Sequence, residues 1–321
     1  MRKGSSIAVA ILVILIGTGF PFSAHAADYP TRPIEVVVPY PPGGATDNAF
    51  LPFKDKAAKL LGQPVLSVYK PGAGGAIGTA YAANAKPDGY TLVIAYEPNL
   101  IYLPLTKNVG YALDSFVPVC NITETRVYLL VKEDSPYKTI RDFVDAAKKK
   151  KLTYASAGVH TSGHILMELL SKRLDIPFIH VPYAGGAPAL TAVLGGHADI
   201  GIVAGTLGMV GPGKLRVLAL TGDNRFPISP DVSTLAEFGY PTLRTNLIAL
   251  WAPKGTPKEV INKLHEVFKN VGEQNREQIN TVLKGGEQVV NIISPGEVDK
   301  AYKETNEFYE KLFGEMGVLR K

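Results

Sequence analysis

The chain has 321 residues, 46% of them hydrophobic, and 34 basic against 29 acidic side chains give a formal charge of +5. So mild a positive balance makes no case for nucleic acid as a partner. A single cysteine, Cys120, excludes an internal disulfide and a cysteine-based zinc cluster.

The first 26 residues are set aside from the fold. Arg2 and Lys3 form a short positive region, Ile7 to Gly17 is an apolar run, and Ala24-His25-Ala26 puts small residues where a signal peptidase reads. The apolar run is shorter than the about 20 residues that a bilayer span needs. No cysteine lies near the expected cleavage point, so the expectation is a periplasmic protein, exported through a cleavable signal peptide and not lipid-anchored. Without residues 1–26 the balance is 32 basic against 29 acidic residues, and the rest is long enough for a large core and two lobes.

Apolar strand-like runs then alternate with helical periodicity, the pattern of an α/β protein. Strands are predicted at 34–38, 65–68, 91–95, 127–131, 153–155, 179–181, 200–203, 217–221 and 247–252. Helices are predicted at 46–61, 75–84, 139–149, 162–174, 186–194, 257–272, 275–284 and 295–316, the last with Pro295 in its first turn. The segment before 127 reads as long and irregular. The basic run Lys148–Lys151 ends a predicted helix, where cations complement the dipole. Two crossings, before 127 and around 250, suggest a discontinuous lobe with a continuous one inserted. That connectivity suits two lobes closing on a ligand about a hinge.

Three Gly-rich strand-to-helix junctions stand out. The first, YPPGGATD at 40–47, sets Gly43 and Gly44 before a helix starting near Thr46. Converging amides and the helix dipole there suit a carboxylate or phosphate, and a plain structural turn reads equally well. Asp47 could cap free amides, accept from a ligand donor or orient water. The second Gly-rich stretch, PGAGGAIG at 71–78, fails the dinucleotide spacing because position 77 is Ile, and no GK[ST] follows.

The next junction, YASAGVHTSGH at 154–164, offers the hydroxyls of Ser156, Thr161 and Ser162 before another helix. Thr161 and Ser162 read equally as caps. Tyr154 occupies the first glycine position of G-x-S-x-G, so the hydrolase elbow is missing. His160 and His164 have the spacing of a metal pair, but Thr161 stands where H-E-x-x-H has its glutamate. The last junction, HVPYAGGAPAL at 180–190, repeats the design with Tyr183, Gly185 and Gly186. Helix starts converging at the C-terminal ends of strands would hold a compact anion without arginine.

The chain resembles the Bug-type substrate-binding proteins of tripartite tricarboxylate transporters. The resemblance rests on YPTRPIEVVVPYPPGGATD, LGQPV, KPGAGGAIGTAYAANAKPDGYTL, SPYKTIRDF, HVPYAGGAPALTAVLGGHADI, GKLRVLALTGDNR, SPDVSTLAEFGYP and APKGTPKEVINKL, in that order. It implies a two-lobed periplasmic binding protein fold, type II-like, each lobe a mixed sheet flanked by helices with the ligand cleft between. Lobe I would comprise 27–126 and 250–321, and lobe II 127–249. The implied ligand is a small organic acid, a di- or tricarboxylate or a related acid, handed to the permease subunits of the transporter by a monomeric, non-catalytic receptor. No cofactor, metal or nucleic acid is expected.

Carried across residue by residue, the ligand-binding set is Tyr40, Pro42, Gly43, Gly44, Ala45, Thr46 and Asp47, facing Ser156, Gly158, Thr161, Ser162, Tyr183 and Gly185, with Asp199 at the family's GG-x-x-D position. Tyr40 stands where the family often has phenylalanine, and Tyr69-Lys70 where it often has asparagine-arginine. Arg126, at the entry to the second lobe, could reach a distal ligand carboxylate or form a hinge salt bridge. Two other uses are conceivable: a receptor serving signalling rather than uptake, and an exported serine hydrolase working through Ser156 with His160 or His164.

Overall fold

A computed structural model describes residues 29–206, 213–243, 246–285 and 287–320; the predicted signal segment lies outside them. The chain opens with β1 (Ile34–Val38), α1 (Ala45–Leu61), β2 (Val65–Tyr69), α2 (Ala76–Ala83) and β3 (Thr91–Ala95). A π-helical turn (Pro98–Tyr102) runs into α3 (Leu103–Thr106), followed by β4 (Phe116–Thr125). Next come β5 (Val127–Lys132), α4 (Ile140–Ala147), β6 (Thr153–Ser156), α5 (Ser162–Leu174), β7 (Ile179–Pro182), α6 (Gly186–Leu194), β8 (Ile200–Ala204) and β9 (Leu215–Leu220). The chain closes with β10 (Asn246–Pro253), α7 (Lys258–Gln274), α8 (Arg276–Lys284), β11 (Gln288–Ile293) and α9 (Pro295–Met316).

The strands form two mixed sheets flanked by helices, ordered β11-β4-β10-β3-β1-β2 and β7-β6-β8-β5-β9. In the first, β1 runs parallel to β2 and β3, while β10 is antiparallel to both β3 and β4. In the second, β6 is parallel to β7 and β8, and β5 is antiparallel to β8 and β9. The chain leaves the first sheet at Arg126 and is back in it by Asn246.

The apolar run of β1 is buried because helices cover both faces of its sheet, as parallel strands require. On one face Val36 and Val38 pack with Phe50 and Phe53 of α1 and Phe268 of α7. On the other, Trp251 of β10 meets Tyr302 of α9 edge to face, ring centroids 4.7 Å apart. The second sheet buries Leu130, Ala155 and Val203 against Leu190 of α6, and Leu129 and Ile202 against Leu166 of α5.

The stretch before 127 is not irregular: β4 is a ten-residue strand paired with β10 and β11. Pro118 and the polar residues Asn121, Thr123 and Thr125 hide it from pattern reading, since proline within a run argues against a central strand. The ladder accommodates Pro118 at a register shift between Leu250 and Trp251. The Lys-rich segment follows the end of α4 and is exposed, as dipole complementarity predicts.

At its start, α4 carries a capping box. Thr139 Oγ1 accepts from the Asp142 amide at 3.2 Å, and Asp142 Oδ2 accepts from the Thr139 amide at 2.9 Å. Thr139→Ala is expected to lower stability by about 1 kcal/mol. Urea unfolding checks this, and an unchanged midpoint refutes it.

Candidate functional site

Three helices begin at the C-terminal ends of strands, and none has a side-chain hydrogen bond from its N-cap. They are α1 after Gly44, α5 after Thr161 and α6 after Gly185. Thr161 is well placed to cap α5, yet its hydroxyl donates to Gly158 O at 2.8 Å. The first-turn amides of all three helices therefore keep their donor capacity and their partial positive charge.

These helix starts come from both sheets and meet. Asn48 Nδ2 of α1 donates to Gly205 O beyond β8 at 2.8 Å, and to Gly43 O at 3.1 Å. A Cβ on Gly185 would stand 3.0 Å from Pro41 Cδ, and one on Gly74 would stand 2.8 Å from Val159 O. Gly158 packs against the Cα of Gly74. The loops of the first sheet thus lie directly on those of the second. Glycine serves at these contacts because a side chain would hold the loops apart.

Buried polar groups gather at this junction. Thr46, Ser156, Thr161, Ser162, Thr206 and Asn246 are all buried. Among the described residues, Thr46 Oγ1, Thr206 Oγ1 and Asn246 Nδ2 have no hydrogen-bond partner. Thr206 packs on Gly186 at the start of α6, and Ser162 Oγ reaches Asn246 Oδ1 at 3.4 Å. Buried polar atoms are normally satisfied, so unpaired ones beside three free helix starts need a reason. Groups held ready for a polar ligand supply one.

The first loop is held rigid from behind. Asp47 has both carboxylate oxygens engaged: Oδ2 accepts from the Gly43 amide and Oδ1 from the Tyr69 hydroxyl, each at 2.8 Å. Burial and the adjacent Asp47 push the Tyr69 phenol up to about 12, so it remains a donor. Tyr40 OH donates to Gly74 O at 2.9 Å and accepts from Asn99 Nδ2 at 3.2 Å. The two tyrosines that depart from the family pattern thus use their hydroxyls to bind the Gly-rich loops together. Gly43, Gly44, Ala45 and Thr46 line the α1 start, while Pro42 is exposed.

The second set is brought together only in part. Ser156, Gly158, Thr161, Ser162 and Gly185 join the junction, and Tyr183 contributes its backbone, its amide donating to Ser156 O at 3.0 Å. Asp199 lies elsewhere, at the opposite ends of β6 and β8. Its Oδ2 accepts from the Thr153 amide and hydroxyl, both at 2.7 Å, and ties those strands together. Arg126 is nearly buried at the crossing between sheets. It donates to Thr125 O at 3.4 Å and lies over the Phe226 ring, with no ion pair among the described residues.

Ser156 does not meet His160 or His164. Its Oγ shares a 2.7 Å hydrogen bond with His180 Nε2 and donates to Gly158 O at 3.0 Å. His180 stacks between Tyr154 and His164, and His164 stacks in turn on His160. Among the described residues no carboxylate hydrogen-bonds His180, so the orienting acid of a serine triad is missing. The His160 and His164 rings lie nearly parallel, centroids 5.6 Å apart. Burial, reinforced by neighbouring positive charge, depresses all three imidazoles to about 4.

Sequence reasoning missed Asn246, Thr206 and His180. Asn246 opens β10, Thr206 lies just past β8 and His180 sits within β7, so the place of each depends on which strands become neighbours.

The profile of the tripartite tricarboxylate transporter family receptor matches residues 51–309. A UPF0065 protein from the gbd 5′ region of Cupriavidus necator is 37% identical over 272 residues, covering 84% of this chain and 82% of that one. The structure is similar to that of the periplasmic binding protein BugD, with 30% identity and a TM-score of 0.83 over 91% of this chain and all (100%) of the other. It is also similar to MatC from Rhodopseudomonas palustris with bound malate, with 28% identity and a TM-score of 0.80 over 88% of this chain and 99% of the other.

Proposed function

The chain belongs to the tripartite tricarboxylate transporter receptor family, and from that premise we propose that it captures a small carboxylate in the cleft between its lobes. The family consists of solute receptors, and the chain is a receptor rather than an enzyme. The first lobe runs from 27 to 126 and resumes with β10 at Asn246, four residues before the boundary expected at 250, and the second lobe takes the residues between. The receptor works as a periplasmic monomer and passes its ligand to membrane permease subunits. Among the described residues no helix is long and apolar enough to cross a membrane.

One observation carries this reading: three helices without side-chain caps converge from both sheets around buried, unpartnered polar groups. One ligand carboxylate is held by the amides of Ala45 and Thr46 with the Thr46 hydroxyl. The α5 and α6 starts, with Ser162, Thr206 and Asn246, take the rest of the ligand when the lobes close. Helix-end donors hold an anion without a lysine or arginine in contact, because fixed dipoles do not have to be desolvated as a free charge would. The related MatC structure, with malate bound, is consistent with this ligand class.

The test is calorimetric titration against di- and tricarboxylates, with Thr46→Val and Asn246→Ala as variants. Each variant is expected to bind about tenfold more weakly, from the loss of one hydrogen bond to a charged group. Thermal stability of the Thr46 variant should hold or rise, because Thr46→Val removes a buried hydroxyl that has no partner among the described residues. Absence of binding to every carboxylate overturns the proposal.

A further inference from the structure

We infer that a cavity at the crossings between the two sheets, separate from the carboxylate cleft, is a binding site for a linear aliphatic diamine, held between Glu97, Glu124 and Asp223. The site goes beyond the receptor reading and does not depend on it, since no residue of the three helix starts lines this cavity.

The cavity measures about 410 Å³. Glu97 just past β3, Glu124 of β4, Leu247 of β10, and Tyr302 and Thr305 of α9 line it from the side of the first sheet. Asp223, in the turn after β9, faces them from the second. The acids thus stand on separate walls.

Glu97 is the unusual member. It is 4% exposed, and its Oε1 accepts the Leu247 amide at 3.1 Å, while Oε2 has no partner among the described residues. If holding that amide were its whole task, glutamine would do it with no charge to desolvate. A buried, half-satisfied carboxyl beside open space calls for a partner that enters from outside. Glu124 Oε2 accepts from Asn291 Nδ2 at 2.8 Å, a neutral donor that leaves its charge unbalanced.

The charges around the cavity specify that partner. Arg126 is the cation on which Glu124 and Asp223 act, and it is turned onto the Phe226 ring. On α9, Lys300 and Lys303 pair with Glu304 and Asp299, and Tyr302 and Thr305 bring no charge. Tyr96, Tyr102 and Tyr302 are phenols that burial keeps protonated. Three carboxylates against one guanidinium leave two negative charges for a ligand to balance. A single metal ion does not fit, because among the described residues no group of three acids, histidines or cysteines could hold one. Two ammonium groups on a methylene chain do fit. Each end reaches a separate acid, and the chain lies on Leu247 and the Tyr302 ring.

Without such a ligand, burial pushes Glu97 up to about 8, so it is largely protonated at neutral pH. When an ammonium docks, the Glu97 O–H bond breaks, its electron pair stays on the carboxylate oxygen, and the proton leaves to solvent. About one proton is therefore released per diamine bound near pH 7, and binding strengthens as pH rises toward 8.

The experiment is calorimetry on the protein with 1,4-diaminobutane, butylamine and magnesium chloride, at pH 6 and 7 and in two buffers of different ionisation enthalpy. The diamine is expected to bind at least about tenfold tighter than the monoamine, with buffer-dependent heat. Its affinity should rise about tenfold from pH 6 to pH 7. Glu97→Gln should weaken the diamine by at least about tenfold and remove both the proton release and the pH dependence. Asp223→Asn should weaken it by about threefold, because that acid is exposed. As a change in an exposed turn, it keeps the test decisive if the Glu97 variant fails to fold. Equal affinity for the two amines, diamine heat independent of buffer, or diamine binding untouched by both substitutions overturns the assignment. Magnesium binding that is lost in either variant overturns it too, in favour of a metal site.

Discussion

Gly205→Val is expected to weaken ligand binding by at least about a hundredfold while leaving each lobe folded, a difference of about 2.7 kcal/mol in binding. Gly205 directly follows β8 with φ +65, and its carbonyl receives Asn48 Nδ2 from α1 at 2.8 Å. A Cβ there would stand 2.3 Å from Gln288 Nε2 and 2.7 Å from Ala45 Cβ, both on the first sheet's side. Gln288 cannot swing aside freely, because Nε2 donates to Ala45 O at 2.8 Å. A valine therefore wedges the two sets of loops apart just where the α1 start must meet the α6 start. A ligand that needs both then has only one, and the closed form loses its advantage.

Backbone strain is the competing explanation, since a branched residue at positive φ costs about 1–2 kcal/mol. Gly62, at φ +67 with nothing within 4 Å of a built Cβ, separates the two effects. Gly62→Val carries the strain without the wedge and should leave affinity unchanged. Calorimetry reads the affinities, and small-angle scattering should show Gly205→Val as the more extended molecule. Wild-type affinity in the Gly205 variant would refute the wedge.

Acid is expected to loosen the second lobe's binding loop. His160, His164 and His180 form one stack with centroid spacings of 5.6 and 4.4 Å, resting on Tyr154. His164 Nδ1 accepts the His160 amide at 3.1 Å, and His160 Nδ1 hydrogen-bonds Thr106 of α3, on the other side of the junction. Protonating His164 at Nδ1 destroys the first of these bonds, and charging adjacent rings makes them repel. Lys107 faces the stack and adds to that repulsion; Glu168, 3.7 Å from His164 Nε2, offsets part of it.

The sign follows from where protons bind. Each ring sits near 4 in the folded protein against 6.5 in the unfolded chain, so the unfolded state holds more protons in between. The stabilisation from keeping the rings neutral is complete above 6.5 and is lost as pH falls from 6.5 to 4. Three protons would give a ceiling of about 4 kcal/mol per pH unit. Each ring is partly solvated, so about half of that is the expected slope. Urea unfolding between pH 7 and 5 measures it, and His164→Gln should make the dependence shallower by about one proton. A profile flat from 6.5 to 5 would sink the expectation.

The sequence carried the local decisions. Apolar runs such as IEVVV, glycines placed before helix starts, and the proline opening α9 act through neighbouring residues, so they are legible without a structure. Resemblance then joined two Gly-rich loops, about 115 residues apart, into one cleft. Asp47 shows the boundary of local reading. Its helix position was legible, but that both oxygens go to Gly43 and Tyr69 depends on β2 lying beside β1.

Composition, spacing and order by themselves determined the α/β class, the three helix starts fit for an anion, and the failure of the nucleotide, hydrolase and metal motifs. Only the tertiary structure decided that β4 is a central strand, that Ser156 meets His180, and that Asp199 serves the sheet instead of the cleft. It alone placed Asn246 beside the start of α5. The physical reason is range. Helix starts and turns are set by a few adjacent residues, whereas a buried charge acquires its role from what the sheet order and the closure of two lobes bring within hydrogen-bonding distance.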